Sequence, residues 1–192
     1  MPERFDIIAS LSFNVTKASS IRCLVTAGPT REWLDPVRFL SNPSTGKMGF
    51  AVVDAARERG WEVDLISGPV TLDVKSGVRQ TFVETADEML AACLDLFASC
   101  DFMIMAAAVC DHKPALVAKS KLKKGEMSTI LELEQTPDIL AELGRRKASG
   151  QNLVGFAAET NDCLSNGERK LRKKNLDWIV VNDVRSEEHT SE

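Results

Sequence analysis

The sequence predicts an α/β fold with a mainly parallel sheet wound on both faces, and three observations predict it. Short β-rich apolar runs begin at Ile21, Trp61, Val78, Asp101, Leu153 and Trp178. Segments with helical apolar spacing lie between most of them. Glycine, proline or a polar cluster punctuates the junctions. A chain of 192 residues, 44% apolar and 27% charged, is sufficient for one core of this kind.

Ile21 to Ala27 is apolar enough for a buried parallel strand and stops at Gly28. Apolar residues at 48, 51, 52, 55 and 56 predict a helix over 46–59, with Gly60 as its terminator. Trp61 to Ser67 and Val78 to Val83 are the second and third strands. Thr85 caps a helix from Ala86 to about Ala98, and Glu88 three residues on completes a capping box. Asp101 to Val109 is the most apolar run and is expected as the central strand. Its alanine-rich end leaves backbone accessible to something bulky. Asp111 to Gly125 breaks the rhythm with five lysines in fifteen residues, and Ser128 to Leu133 reads as a strand returning from this excursion. Thr136 as N-cap and Pro137 at the first helical position begin the next helix. Leu153 to Ala157 is a strand, Leu164 to Lys174 a basic helix, and Trp178 to Val181 the last strand. The expected architecture is thus a Rossmann-like, doubly wound sheet with a lysine-rich β excursion.

The chain ends read differently. Residues 1–20 form a loose leader: Ile7, Ile8, Ala9 and Leu11 are too short a core for a signal peptide, and Glu3, Arg4 and Asp6 crowd it. Residues 185–192 carry no apolar residue and look like the in-frame translation of a sequencing-library adapter. One domain is expected over 21–184.

A net charge of −4 offers no general attraction for nucleic acid or an anionic membrane, so an anion site needs a local cluster of bases. No apolar run approaches the ~18–20 residues of a membrane span. The five cysteines form no CxxC pair, which predicts reduced, mostly buried thiols in a cytoplasmic protein. His112 and His189 belong to no metal or catalytic-triad pattern, so metal ligands stay unassigned.

Two polar loops follow the first strand, Thr26 to Glu32 and Ser41 to Gly49, with Asp35 to Phe39 between them. Gly46-Lys47 invites a P-loop reading, but Ser41 stands where the first glycine belongs and Met48 where a serine or threonine belongs. The dinucleotide fingerprint G-x-G-x-x-G is absent, and no acid ends the second strand. Phosphate could instead meet the helix start at Pro137, Asp138, Ile139 and Leu140, whose first N–H groups are free. Lys170 and Lys174 are four apart on one helix and point the same way. Lys119, Lys121, Lys123 and Lys124 could close over a ligand, or form a solvated basic face. Asp111 sits where an acid can bind ribose or a base, or simply make a turn. Glu159 follows a strand end in the same way, and Phe156 is core unless a base stacks on it.

These segments, together with Met105 to Asp111, Lys121 to Lys124, Thr136 to Leu140, Gly155 to Thr160 and Val181 to Val184, occur in one order. In that order the chain resembles the bacterial phosphopantothenate–cysteine ligases over about residues 21–184. The resemblance implies joining of 4′-phosphopantothenate to L-cysteine with CTP and Mg2+, through an acyl-cytidylate, in coenzyme A biosynthesis. It implies that Asn42 holds the acyl part, with Gly28, and that Arg38 holds its phosphate from the partner subunit of a homodimer. Met105, Ala106, Ala107, Asp111 and Phe156 would form the cytidine pocket. Lys121, Pro137, Asp138, Ile139, Leu140, Lys170 and Lys174 would carry the nucleotide phosphates, with Lys121 and Asn42 as the catalytic pair. A phosphopantothenoylcysteine decarboxylase is often fused ahead of this domain, and family members continue past Val184 by a strand or two. The competing readings are a Rossmann-type NAD(P) oxidoreductase and a non-catalytic nucleotide-binding module.

Overall fold

The structure is a computed structural model and describes residues 20–125, 130–159 and 161–183. The leader over residues 1–19 and the adapter-like tail lie outside the described residues. In chain order the elements are β1 (Arg22–Ala27), β2 (Arg31–Trp33), β3 (Phe39–Ser41), α1 (Lys47–Glu58), β4 (Glu62–Ser67), β5 (Arg79–Phe82) and α2 (Ala86–Phe97). They continue as β6 (Phe102–Met105), β7 (His112–Pro114), β8 (Leu133–Gln135), α3 (Ile139–Arg146), β9 (Asn152–Glu159), α4 (Cys163–Lys173) and β10 (Trp178–Asp183).

Six strands form a wholly parallel sheet in the order β10-β9-β6-β1-β4-β5. These are the six runs marked out in the sequence. Alternation along β1 explains the two layers: Cys23, Val25 and Ala27 pack with Val52, Val53 and Ala56 of α1. Leu24 points the other way, into a cluster with Met89 of α2 and Leu143 of α3. A strand apolar on both faces must be covered on both, and β1 is. Helix α2 starts as expected, with the Glu88 N–H donating to Thr85 Oγ1 and the Thr85 N–H to Glu88 Oε2, both at 3.2 Å. Helix α1 lies unusually close to β1, since a Cβ on Gly49 would sit 2.5 Å from that of Ala27.

Four local expectations change. The stretch between β1 and α1 is not plain loop: β2 and β3 form an antiparallel hairpin that pairs Arg31 with Ser41 and Trp33 with Phe39. The apolar run at 101–109 stays in the sheet only to Met105. Beyond it the Thr26 hydroxyl accepts the Ala107 N–H at 3.2 Å, and Ala108 bridges to Pro29 instead of continuing the ladder. The return of the lysine-rich excursion is β8, paired antiparallel with β7, and begins at Leu133; residues 128 and 129 of the expected strand are outside the described set, and 130–132 are not strand. Finally, Asp138 and not Thr136 caps α3, accepting the Ala141 N–H at 3.0 Å. Thr136 is taken elsewhere, its N–H on Asp111 O and its hydroxyl on Cys110 O.

Candidate functional site

The chain lays down β4 and β5 on one side of β1, then crosses back to place β6, β9 and β10 on the other. Such a reversal leaves a crevice beyond the carboxyl ends of the two adjoining strands, here β1 and β6. Gly28, at φ +77°, turns the chain out of β1, and Gly46, also at +77°, turns it into α1. Both lie against Val70: a Cβ would come within 2.8 Å of Val70 Cγ1 at Gly28 and 3.0 Å at Gly46. Two glycines thus make the turns on either side of the β2–β3 hairpin, and a third, Gly49, lets α1 pack directly on β1.

Asn42, at the end of the hairpin, reaches across the crevice. Its amide donates to Val109 O at 2.9 Å, while Ser41 Oγ donates to Thr30 O at 2.8 Å and the Cys110 N–H to Thr30 Oγ1 at 3.0 Å. The loops after β1, β3 and β6 therefore form one hydrogen-bonded block. Cys110 is buried within it, and burial pushes its thiol pKa up. Cys23 and Cys93 are likewise buried with raised pKa values, the latter to about 12, so these three are structural thiols.

Arg38 stands at the turn of the hairpin. Its Nε and Nη2 donate to Asp35 Oδ2 at 3.0 and 2.6 Å, and Nη2 also donates to Leu122 O at 2.8 Å. The Asp35 carboxyl is held far below the usual carboxylate range by that guanidinium, against the effect of burial and with help from the N–H groups of Val37, Leu122 and Arg38. Lys121 lies exposed beside Leu122.

On the other side of the crevice is a cavity of about 480 Å³ at the ends of β6 and β9. Its lining includes Met105, Ala107 and Asp111 from β6 and the loop after it, Pro137, Asp138, Ile139 and Leu140 at the start of α3, Phe156 of β9, and Lys170 and Lys174 at the end of α4. Helix α4 brings both lysines to the opening of α3, where Lys174 Nζ donates to Asp138 Oδ1 at 3.0 Å. Burial raises the Asp138 pKa, but the Ala141 N–H and the Lys174 ammonium outweigh it and the net shift is downward. Gly144 makes this junction possible, since a Cβ there would sit 1.9 Å from Lys174 O.

Lys121, Ala106, Gly28, Arg38 and Asn42 are not in that cavity's lining. Lys121 belongs to the segment tied to Asp35, and the other four to the crevice block and the hairpin. Sequence reasoning gave no binding role to Val109, His112, Gln135 and Thr136, which also line the cavity. Val109 and Thr136 fell within the segments that carry the resemblance, whereas His112 and Gln135 had only their proximity in sequence to Asp111 and Pro137 as a signal. Glu32 was passed over too: it is 2% exposed and accepts the Ala86 N–H at the start of α2 at 2.9 Å. Among the described residues, no group of three His, Cys, Asp or Glu side chains could hold a metal, and no helix is long and apolar enough to cross a membrane.

Comparison with known proteins agrees with this geometry. The family model for the "DNA/pantothenate metabolism flavoprotein C-terminal domain" matches residues 18–192. Over 165 residues the chain is 47% identical to a cysteine/cysteine sulfinic acid decarboxylase of an unknown prokaryotic organism, covering 85% of this chain and 46% of that one. Over 164 residues it is 49% identical to the coenzyme A biosynthesis bifunctional protein CoaBC of Bacillus subtilis strain 168, covering 85% and 40%. The chain thus spans less than half the length of these relatives. The crystal structure of the C-terminal domain of a CoaBC protein superposes with a TM-score of 0.76 at 44% identity, covering 85% of this chain and 78% of that one. Sheet order, crevice and sequence match converge: the chain belongs to the DNA/pantothenate metabolism flavoprotein C-terminal domain family.

Proposed function

We propose that the chain is a phosphopantothenate–cysteine ligase, which joins 4′-phosphopantothenate to L-cysteine with CTP through an acyl-cytidylate. The observation that carries this reading is the cavity between β6, β9, α3 and α4. It gathers Phe156 and Ala107 with two lysines and a helix start. That is the inventory a nucleoside triphosphate asks for: a flat apolar wall for the base, and ammonium and N–H donors for the phosphates.

Attack of a carboxylate on an α-phosphate brings two anions together, so catalysis is mainly positioning and charge neutralisation. Lys170 and Lys174 would bind the phosphates, Lys174 exchanging its contact with Asp138 for a phosphate oxygen. Lys121 would neutralise the charge that develops during attack, and Arg38 would hold the phosphate of the acyl substrate. Asn42, anchored on Val109 O, would grip the acyl part while cysteine displaces CMP. Mg2+ would arrive on the nucleotide's own phosphates, its usual mode in such sites, and would screen their charge there. No dedicated nucleophile is needed, because the carboxylate and then the cysteine amine perform the attacks.

The reading includes a homodimer acting in the cytoplasm beside a phosphopantothenoylcysteine decarboxylase. Exposed Val37, Phe39, Leu116, Val117 and Leu133 support the dimer, for they lie on or beside the β2–β3 and β7–β8 hairpins. The test is pyrophosphate release from CTP. Release is expected only with 4′-phosphopantothenate present, and added cysteine should yield the amide product and CMP. A folded sample that releases none would sink the proposal.

A further inference from the structure

We propose that Asp35 is a positioning residue for this reaction: one buried carboxylate sets the Arg38 guanidinium and the Lys121 segment in a fixed relation to each other. The inference rests on the ligase reading for the roles of Arg38 and Lys121, but the coupling itself rests on geometry. The Asp35 side chain is wholly buried. Its Oδ1 accepts the Val37 and Arg38 N–H groups at 2.8 and 2.9 Å, which shapes the hairpin turn. Its Oδ2 accepts Arg38 Nε and Nη2 and, from 87 residues away, the Leu122 N–H at 3.2 Å. Arg38 Nη2 closes the ring on Leu122 O at 2.8 Å. Leu34 O takes the Ala118 N–H at 2.9 Å, so the lysine-rich segment is fastened to the hairpin at two points. Both backbone groups of the residue next to Lys121 are thus engaged by the Asp35–Arg38 pair.

A carboxylate is required here because five donors converge on two oxygens. In Asp35→Asn one of those oxygens becomes an NH2 group, and either amide orientation sets donor against donor. Glu32 provides a contrast within the same hairpin. It is also a buried carboxylate, yet it accepts the Ala86 N–H at the start of α2, at 2.9 Å.

The test is a double-mutant cycle on the full chain. Asp35→Asn is expected to raise KM for 4′-phosphopantothenate about tenfold and lower kcat about tenfold, with KM for CTP moving less than about twofold. In an Arg38→Gln background the further KM effect of Asp35→Asn should fall below about twofold, because the two side chains act as one unit. Effects that multiply independently would overturn the proposal. Glu32→Gln should lower the melting temperature without this split between substrates, and the same split there would also overturn it. A wild-type chain without activity overturns the ligase reading alone. Hydrogen exchange at the Leu122 amide then decides the coupling: exchange about tenfold faster in Asp35→Asn supports it, and unchanged exchange rejects it.

Discussion

Asn42 shows how much a single polar side chain depends on its surroundings. Its amide spans from the end of β3 to the carbonyl of Val109 and so ties the β2–β3 hairpin to the loop after β6. Replacing it by alanine removes that anchor and the proposed grip on the acyl part, but leaves the cavity with Lys170 and Lys174 intact. Asn42→Ala is therefore expected to retain most CTP-dependent pyrophosphate release while product formation with cysteine falls by roughly 10²-fold, the scale of one lost positioned donor. Assaying the two half-reactions separately checks this, and equal loss in both would remove the assigned role. Asn42, Arg38 and Lys121 were legible in the sequence because their segments carry a family resemblance. Asp35 and Glu32 were not, because nothing local marks a carboxylate as buried; that depends on chain from residues 86 and 122 arriving to supply N–H donors.

At the scale of elements, the legible features are those whose physics is local. Thr85 and Glu88 form their capping box within one turn of chain, and the structure contains it. Thr85→Ala is expected to cost about 1 kcal/mol of stability, measured by urea unfolding, with no change in the slope of the transition. An Ala variant as stable as the parent would mean that the Glu32 carboxylate, also on the N-terminus of α2, suffices by itself. The α3 start shows the opposite case. Thr136-Pro137 has the composition of a cap, but Asp111 and Cys110 claim the Thr136 N–H and hydroxyl, so the cap lies two residues later at Asp138. Likewise β6 ends at Met105, although the sequence stays apolar to Val109, because Thr26 of β1 and Gly28 just beyond it capture the N–H groups of Ala107 and Ala108. A cap or a strand end is decided by competition for hydrogen bonds, and the competitors come from far along the chain.

For the molecule as a whole, the exposed apolar residues on and beside the two small hairpins are a feature that a single chain leaves unexplained. Leu116 is 84% exposed and Val117 59% exposed, an arrangement that costs solvation unless another surface covers it. If a second copy covers it, Leu116→Asp should shift the protein from dimer to monomer in sedimentation velocity, weakening association by roughly tenfold or more. A parent that sediments as a monomer at micromolar concentration would reject the dimer. The sequence by itself determined the six parallel strands, the helices between them and the family, because apolar period and punctuation are properties of neighbouring residues. It also determined the residue types that the cavity gathers. Only the tertiary structure decided that Lys174 meets Asp138, that Gly28 and Gly46 both turn against Val70 across an inserted hairpin, and that the segment beside Lys121 is fastened to Arg38 through Asp35. Those relations depend on the order in which strands lie in the sheet, which brings together side chains that no local spacing connects.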